Sequence, residues 1–157
     1  MTALTHASSP PVERPRTRVA GTRTLHLAHT RDRCEDVRLQ LRIRSVQFGE
    51  YTMASLAGEL DLVTFDRLRD ALLELLDRQA VPRLVLDLAD VTFADARGLS
   101  PLVRASCIAT TRGGWVRLVR VSDRLQRILD AARLTQTLPT YDTVAEAATS
   151  ARRLPST

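Results

Sequence analysis

The sequence has no lysine and no asparagine, and its 157 residues include only 2 cysteines and 3 histidines. Cys34 and Cys107 lie far apart without CxxC spacing, which excludes a disulfide framework and a cysteine-built zinc site and fits a reducing compartment. His6, His26 and His29 all fall near the start of the chain, ahead of any periodic pattern. A histidine general base or a Ser/His/Asp relay therefore has no donor in the part patterned to fold, and hydrolase chemistry goes with it. His26 and His29, with Cys34 beyond, are metal-ligand types, but no framework fixes their geometry and they read as solvated. No apolar run approaches the roughly 18 residues needed to span a bilayer, and no apolar stretch follows the N-terminal charges. No metal, cofactor or membrane segment is expected, and the chain reads as soluble and cytoplasmic.

Every one of the 23 basic residues is arginine. Lysine and asparagine both use codons starting AA, so a GC-rich genome accounts for their joint absence, and the arginine bias carries little functional weight. The net charge of +5 is concentrated at the start: Arg14, Arg16, Arg18, Arg23, Arg31 and Arg33 face only Glu13 and Asp32 there. The remainder is close to neutral, so a basic nucleic-acid-binding face on the folded part is not indicated, and any phosphate attraction belongs to the N-terminal segment.

The length suits one domain with a sizeable core. Residues 1–35, with Pro10, Pro11, Pro15 and few large apolar groups, read as a disordered arm; 36–150 read as the folded domain and 151–157 as a flexible C-terminus. Val37, Leu39, Leu41 and Ile43 alternate with Arg38, Gln40, Arg42 and Arg44, the period of a strand with one wet face. The "FGEY" turn then leads into a second strand ending at Gly58. Phe65, Leu68, Leu72, Leu75 and Leu76 form a helical stripe, for which Thr64 and Asp66 supply the polar start.

Arg83 to Leu88 is a short apolar run suited to a strand buried on both faces. A second helix follows, with Leu99, Leu102, Val103, Ser106, Cys107 and Thr110 taken as its inner face and Cys107 as a small core residue. It stops before Gly113 and Gly114, a helix-stop turn lacking the context of a phosphate-binding loop. "WVRLVRV" is a further strand. Ser122 caps a third helix with Leu125, Ile128, Leu129 and Ala132 inward; "LPTY" is an edge strand, and Thr143 with Glu146 opens a last helix. The order β-β-α-β-α-β-α-(β)-α predicts an α/β fold, a mixed sheet of four to five strands packed with about four helices.

Asp61 and Asp95 stand near strand ends as a carboxylate pair, but as loop and cap groups they need no catalytic role. The junction "DVTFADARGLS" joins a strand to a helix, where free N–H groups and the helix dipole favour an anion or a phosphorylated hydroxyl. The position that would carry that hydroxyl is Ala96.

"GELDLVT" (58–64), "LVLDLADVTFADARGL" (84–99) and the "SDRLQRIL" helix followed by Leu134 together resemble a STAS domain, the fold of bacterial anti-sigma factor antagonists. The resemblance implies partner switching: an unmodified antagonist binds a serine-kinase anti-sigma factor, releasing a sigma factor for transcription, until the kinase phosphorylates a serine in a D-S-[ST]-G-L motif. The matching positions here are Asp95, Ala96, Arg97, Gly98 and Leu99, so the acceptor serine is replaced by Ala96. Ala96 is close in size to unmodified serine and cannot be phosphorylated, so a permanently binding state is expected; Ser100 is a fallback acceptor one turn later.

The resemblance implies a non-enzymatic module that sequesters an anti-sigma factor through Glu59, Asp61, Phe93, Asp95, Ala96, Arg97, Ser100 and Arg104. Phe93 reads equally as core or as anchor. Arg97 opposes the helix dipole and so has no stability role; it is a contact for a partner carboxylate, a substitute for phosphate control, or a solvated replacement. Pro101 is tolerated only near a helix start, so regular bonding is expected to begin about there. Arg133 stands where such domains often end a helix with glycine, at a cost of about 1 kcal/mol if positive φ is required. The alternatives are a STAS subunit of a signalling scaffold, with other STAS proteins as partners, or of a lipid-transport complex. Nucleic-acid binding through the arm is the alternative of another class.

Overall fold

The computed structural model describes residues 41–150. The arm, its histidines, Cys34 and the first residues of the predicted opening strand lie outside them. Strand β1 (Arg42–Phe48) pairs antiparallel with β2 (Tyr51–Leu60), from Arg42 opposite Ala57 to Phe48 opposite Tyr51. Gly49 makes the tight link with φ +53°, a conformation glycine adopts without a Cβ clash. Burial alternates along β2, as a pleated strand with one core face requires.

Helix α1 (Phe65–Asp77) buries Leu68, Ala71, Leu72, Leu75 and Leu76, the predicted stripe less Phe65, which is half-buried. Strand β3 (Arg83–Ala94) runs well past Leu88, pairing parallel with β2 through two register shifts as far as Ala94 opposite Leu60. Its second half is largely exposed, so no apolar run marks it in the sequence. Helix α2 (Ala96–Thr111) inserts Leu99, Leu102, Ala105, Ser106 and Ala109. That corrects the expected face: Cys107 and Thr110 are exposed and Val103 is half-buried. The interior takes small residues at 105 and 109, which an assignment weighted to larger side chains passes over.

Hydrogen bonding in α2 also begins earlier than expected, with the Leu99 N–H donating to the Asp95 carbonyl at 3.1 Å. Pro101 sits inside the helix with its ring buried, and the bond it forfeits is the one to the carbonyl of Arg97, an exposed residue.

Strand β4 (Trp115–Val119) and the two-residue β5 (Thr140–Tyr141) extend the sheet in parallel, giving the order β1-β2-β3-β4-β5. Helix α3 (Asp123–Ala131), capped by Ser122, buries Leu125 and Leu129, leaves Ile128 half-buried and exposes Ala132, against the expectation for the last. Helix α4 (Val144–Thr149) starts with Thr143 Oγ1 accepting from the Glu146 N–H. A mixed five-stranded sheet with four helices is thus the observed α/β fold.

Most of the core lies between the sheet and the leucines of α1, α2 and α3. A smaller cluster of Val85, Val119 and Ala147, with Trp115 and Tyr141 packed on it, occupies the opposite face, where residues odd in step with Leu84 and Leu118 must point. Arg117 pins α4 there: its guanidinium lies 4.0 Å from the Trp115 ring centroid and donates to the carbonyls of Ala147 and Ser150. Burial pushes its pKa below the usual arginine value.

Candidate functional site

The parallel strands β2 and β3 end side by side, and the loop 61–64 and the start of α2 spring from those ends. Backbone contacts lock them together. The Asp95 N–H donates to the Leu60 carbonyl at 3.0 Å, and a Cβ on Gly98 would stand 1.9 Å from that same oxygen. Only glycine lets α2 approach β2 this closely. Asp95 is the N-cap of α2, its Oδ1 accepting from the Gly98 N–H at 2.7 Å.

The loop is pinned reciprocally. The Asp61 N–H donates to Thr64 Oγ1 at 3.1 Å, the Thr64 N–H to Asp61 Oδ1 at 3.0 Å, and the Thr64 hydroxyl to the Glu59 carbonyl at 2.8 Å. Thr64 therefore faces back into the loop and makes no side-chain cap on α1, where the sequence had placed its role. Both Asp61 and Asp95 accept from backbone N–H groups and hold the loop and the helix start in place.

Between these pins the loop tip turns two apolar side chains outward: Leu62 is 59% and Val63 74% exposed. Sequence reasoning missed them. Their signal is that neither fits the alternation of β2 nor the stripe of α1. Phe93, opposite half-buried Glu59 in the sheet register, is exposed, and the Arg124 guanidinium lies 5.5 Å from its ring centroid. The hollow beside it, lined by Val91, Phe93, Ser122, Arg124, Leu125 and Ile128, measures only about 20 Å³, room for about one water. This end of the molecule offers a surface, not a small-molecule pocket.

Ala96, Arg97, Ser100 and Arg104 are all exposed on α2. Arg97, Ser100, Arg104 and Cys107 recur at three- and four-residue spacing and so form one stripe of the helix. Ala96 is the first helical residue, just past the cap, and presents a methyl group where the strand-to-helix junction would favour a phosphorylated hydroxyl. Ser100 stands a turn further along. Among the described residues, no cluster of His, Cys, Asp and Glu is fit to hold a metal ion, and no helix is long and apolar enough to cross a membrane.

The STAS domain family matches residues 42–147. An anti-sigma F factor antagonist of Paenibacillus polymyxa is 28% identical over 111 residues, covering 71% of this chain and 95% of that protein. The anti-sigma-B factor antagonist of Bacillus subtilis is 32% identical over 80 residues, covering 51% and 72% respectively. The crystal structure of an anti-sigma factor antagonist from Mycobacterium paratuberculosis superposes with a TM-score of 0.63 at 25% identity, covering 70% of this chain and 92% of that one.

Proposed function

The chain belongs to the STAS domain family, and on that premise we propose that it is an anti-sigma factor antagonist, a non-enzymatic module that sequesters a serine-kinase anti-sigma factor in a bacterial cytoplasm. The reading is supported by relatives named as antagonists over most of their own length and by an exposed apolar loop tip held by hydrogen bonds at the end of the sheet. Leu62, Val63 and Phe93 would form the apolar centre of the contact, with Glu59, Arg97, Ser100 and Arg104 around it. Asp61 and Asp95 would contribute by holding the loop and the helix start in their binding geometry.

The observation that carries the finer claim is Ala96 at the exposed N-terminus of α2. With no hydroxyl there, the kinase has no acceptor at the site the resemblance assigns to it, so binding is not released by phosphorylation. Ser100 is displaced by a helical turn from that position and does not take its place. Net charge gives no support to nucleic-acid binding by residues 41–150, which hold fourteen arginines and fourteen acids.

Affinity capture of the full-length protein from its native cells tests the reading, with wild type and Arg97→Ser in parallel and mass spectrometry of bait and partners. Recovery of a serine-kinase anti-sigma factor with an unphosphorylated bait is expected. Recovery of transporter subunits or other STAS proteins in its place would overturn the antagonist assignment and favour a transport or scaffold subunit.

A further inference from the structure

Strand β1 is the outer strand of the described sheet, and half of its backbone groups face outward. Phe48 and Tyr51 close a two-residue hairpin, so Phe48, Val46, Arg44 and Arg42 direct their N–H and C=O groups to β2. Those of Ile43, Ser45 and Gln47 point the other way, toward the edge. The usual guards against edge pairing are few: the register with β2 runs from Arg42 to Phe48 without a bulge, and the strand holds no proline. The even positions share the sheet face opposite the main core, since Leu41, Ile43 and Ser45 are buried. Helix α4 packs on that face over β3, β4 and β5, and Val46 is left 38% and Phe48 47% exposed. Phe48 stacks on Tyr51 with ring centroids 5.7 Å apart, but among the described residues no arginine lies over it. Phe65, Phe93, Trp115 and Tyr141 each have one.

Charge runs from one end of this edge to the other. Arg42 and Arg44 stand at the start of β1, and Glu50, its side chain 84% exposed, stands just past its end. An antiparallel copy of the same strand reverses that order. With Val46 on the two-fold axis, each Arg44 falls opposite the other copy's Phe48 and each Arg42 comes alongside the other copy's Glu50. Moving the axis to Ser45 would set the two Arg44 side chains on a diagonal, like charge near like. Moving it to Gln47 would carry Arg42 beyond the hairpin. One register therefore satisfies both arginines and the uncovered ring.

We propose that a second copy of this chain occupies the edge: β1 pairs antiparallel with the second copy's β1 about a two-fold axis at Val46, and one sheet continues through both. The interface is isologous, so each complementary contact occurs twice, Arg44 over Phe48 and Arg42 with Glu50. Val46 meets its own symmetry mate in a non-hydrogen-bonded pair, where side chains come closest. A seven-residue strand covers less than a standard interface, so the association is concentration-dependent. The axis reverses strand direction and places the two Leu62–Val63 tips at opposite ends of the joined sheet. Both stay open, and the dimer is bivalent for whatever partner that end receives. The pairing does not depend on the antagonist reading.

Sedimentation velocity of the full-length chain over a concentration series should show a monomer–dimer equilibrium. Arg42→Glu or Glu50→Arg alone should weaken the dimer about tenfold, and the two together should restore it. Both positions are exposed, so neither change disturbs the core. The register is read by crosslinking in a chain carrying Cys34→Ser and Cys107→Ser. There Val46→Cys should give a disulfide-linked dimer under mild oxidation, whereas Arg44→Cys, displaced from its mate by four residues, should not. A monomer at every concentration would overturn the inference. So would a dimer indifferent to both charge reversals, or one crosslinked equally well through position 44. No anti-sigma factor enters these measurements, so their failure leaves the antagonist reading standing, and failure of the capture experiment leaves the dimer standing.

Discussion

Replacing Arg133 with glycine should stabilise the protein, and the reason lies in one dihedral angle. Helix α3 ends with the Leu134 N–H donating to the Leu129 carbonyl at 2.8 Å and the Arg133 N–H to the Asp130 carbonyl at 3.0 Å, the paired bonds of a Schellman ending. The geometry requires the residue between to be left-handed, and Arg133 has φ +55°. A side chain with a Cβ pays about 1–2 kcal/mol for that conformation. Glycine removes the clash but adds about 0.4–1 kcal/mol of unfolded-state entropy, and loss of an exposed cation near a helix C-terminus costs a few tenths more. At the centre of these ranges the net is a gain of about 0.5 kcal/mol. For the 110 described residues, with unfolding entropy of about 2.1 cal/mol/K per residue, that is a rise in Tm of roughly 2 °C. Thermal unfolding of wild type, Arg133→Gly and Arg133→Ala measures it. Alanine keeps the dihedral penalty and loses the cation, so it should melt below wild type. A glycine variant no more stable than the alanine variant would refute the argument.

The opposite result is expected at Arg120, which also has positive φ, +53°, but donates through Nε to Asp87 Oδ1 at 2.9 Å and through Nη2 to Oδ2. Those hydrogen bonds, then the charge itself, raise the arginine pKa, and Arg120→Gly would leave the buried Asp87 carboxylate without its ion-pair partner, with only the Ala89 N–H and the Ser55 hydroxyl donating to it, lowering stability by about 1–2 kcal/mol in denaturant titration despite relief of the dihedral. Asp95→Ala removes the α2 cap and should cost about 1 kcal/mol by the same assay. Gly98→Ala should be far worse, since its Cβ meets backbone at Leu60, and a folded variant with wild-type Tm would contradict the close approach. Arg97→Glu should raise stability by about 0.5–1 kcal/mol, because an acid replaces a cation in the first turn of α2. That makes it a binding probe whose effect is not misfolding.

The opening β1–β2 hairpin at the FGEY turn, the leucine stripe of α1 and the caps at Ser122 and Thr143 were legible because each is a local signal of fixed period or spacing. What the sequence concealed depends on contacts distant along the chain. The second half of β3 is a strand because it pairs with Ala57–Leu60, not because its residues are apolar. The inner face of α2 is set by the small residues Ala105 and Ala109, and the exposed tip Leu62–Val63 by the Asp61–Thr64 pins. At the site, Asp95, Ala96, Arg97 and Gly98 could be placed at a helix start from the strand-to-helix pattern alone. That Gly98 is required by the Leu60 carbonyl and that Phe93 is exposed beside Arg124 needed the folded arrangement.

The central claim is that an apolar tip and an α2 start without an acceptor hydroxyl bind an anti-sigma factor beyond the reach of phosphate control. Its most direct test is the dissociation constant for the anti-sigma factor recovered from native cells, measured for the full-length chain before and after incubation with ATP and Mg²⁺, alongside Val63→Asp. The account predicts an affinity unchanged by ATP, an unphosphorylated chain by intact mass, and binding weakened at least about tenfold by Val63→Asp. A complex that dissociates as phosphate appears on this chain, or one indifferent to a charge at Val63, would contradict it.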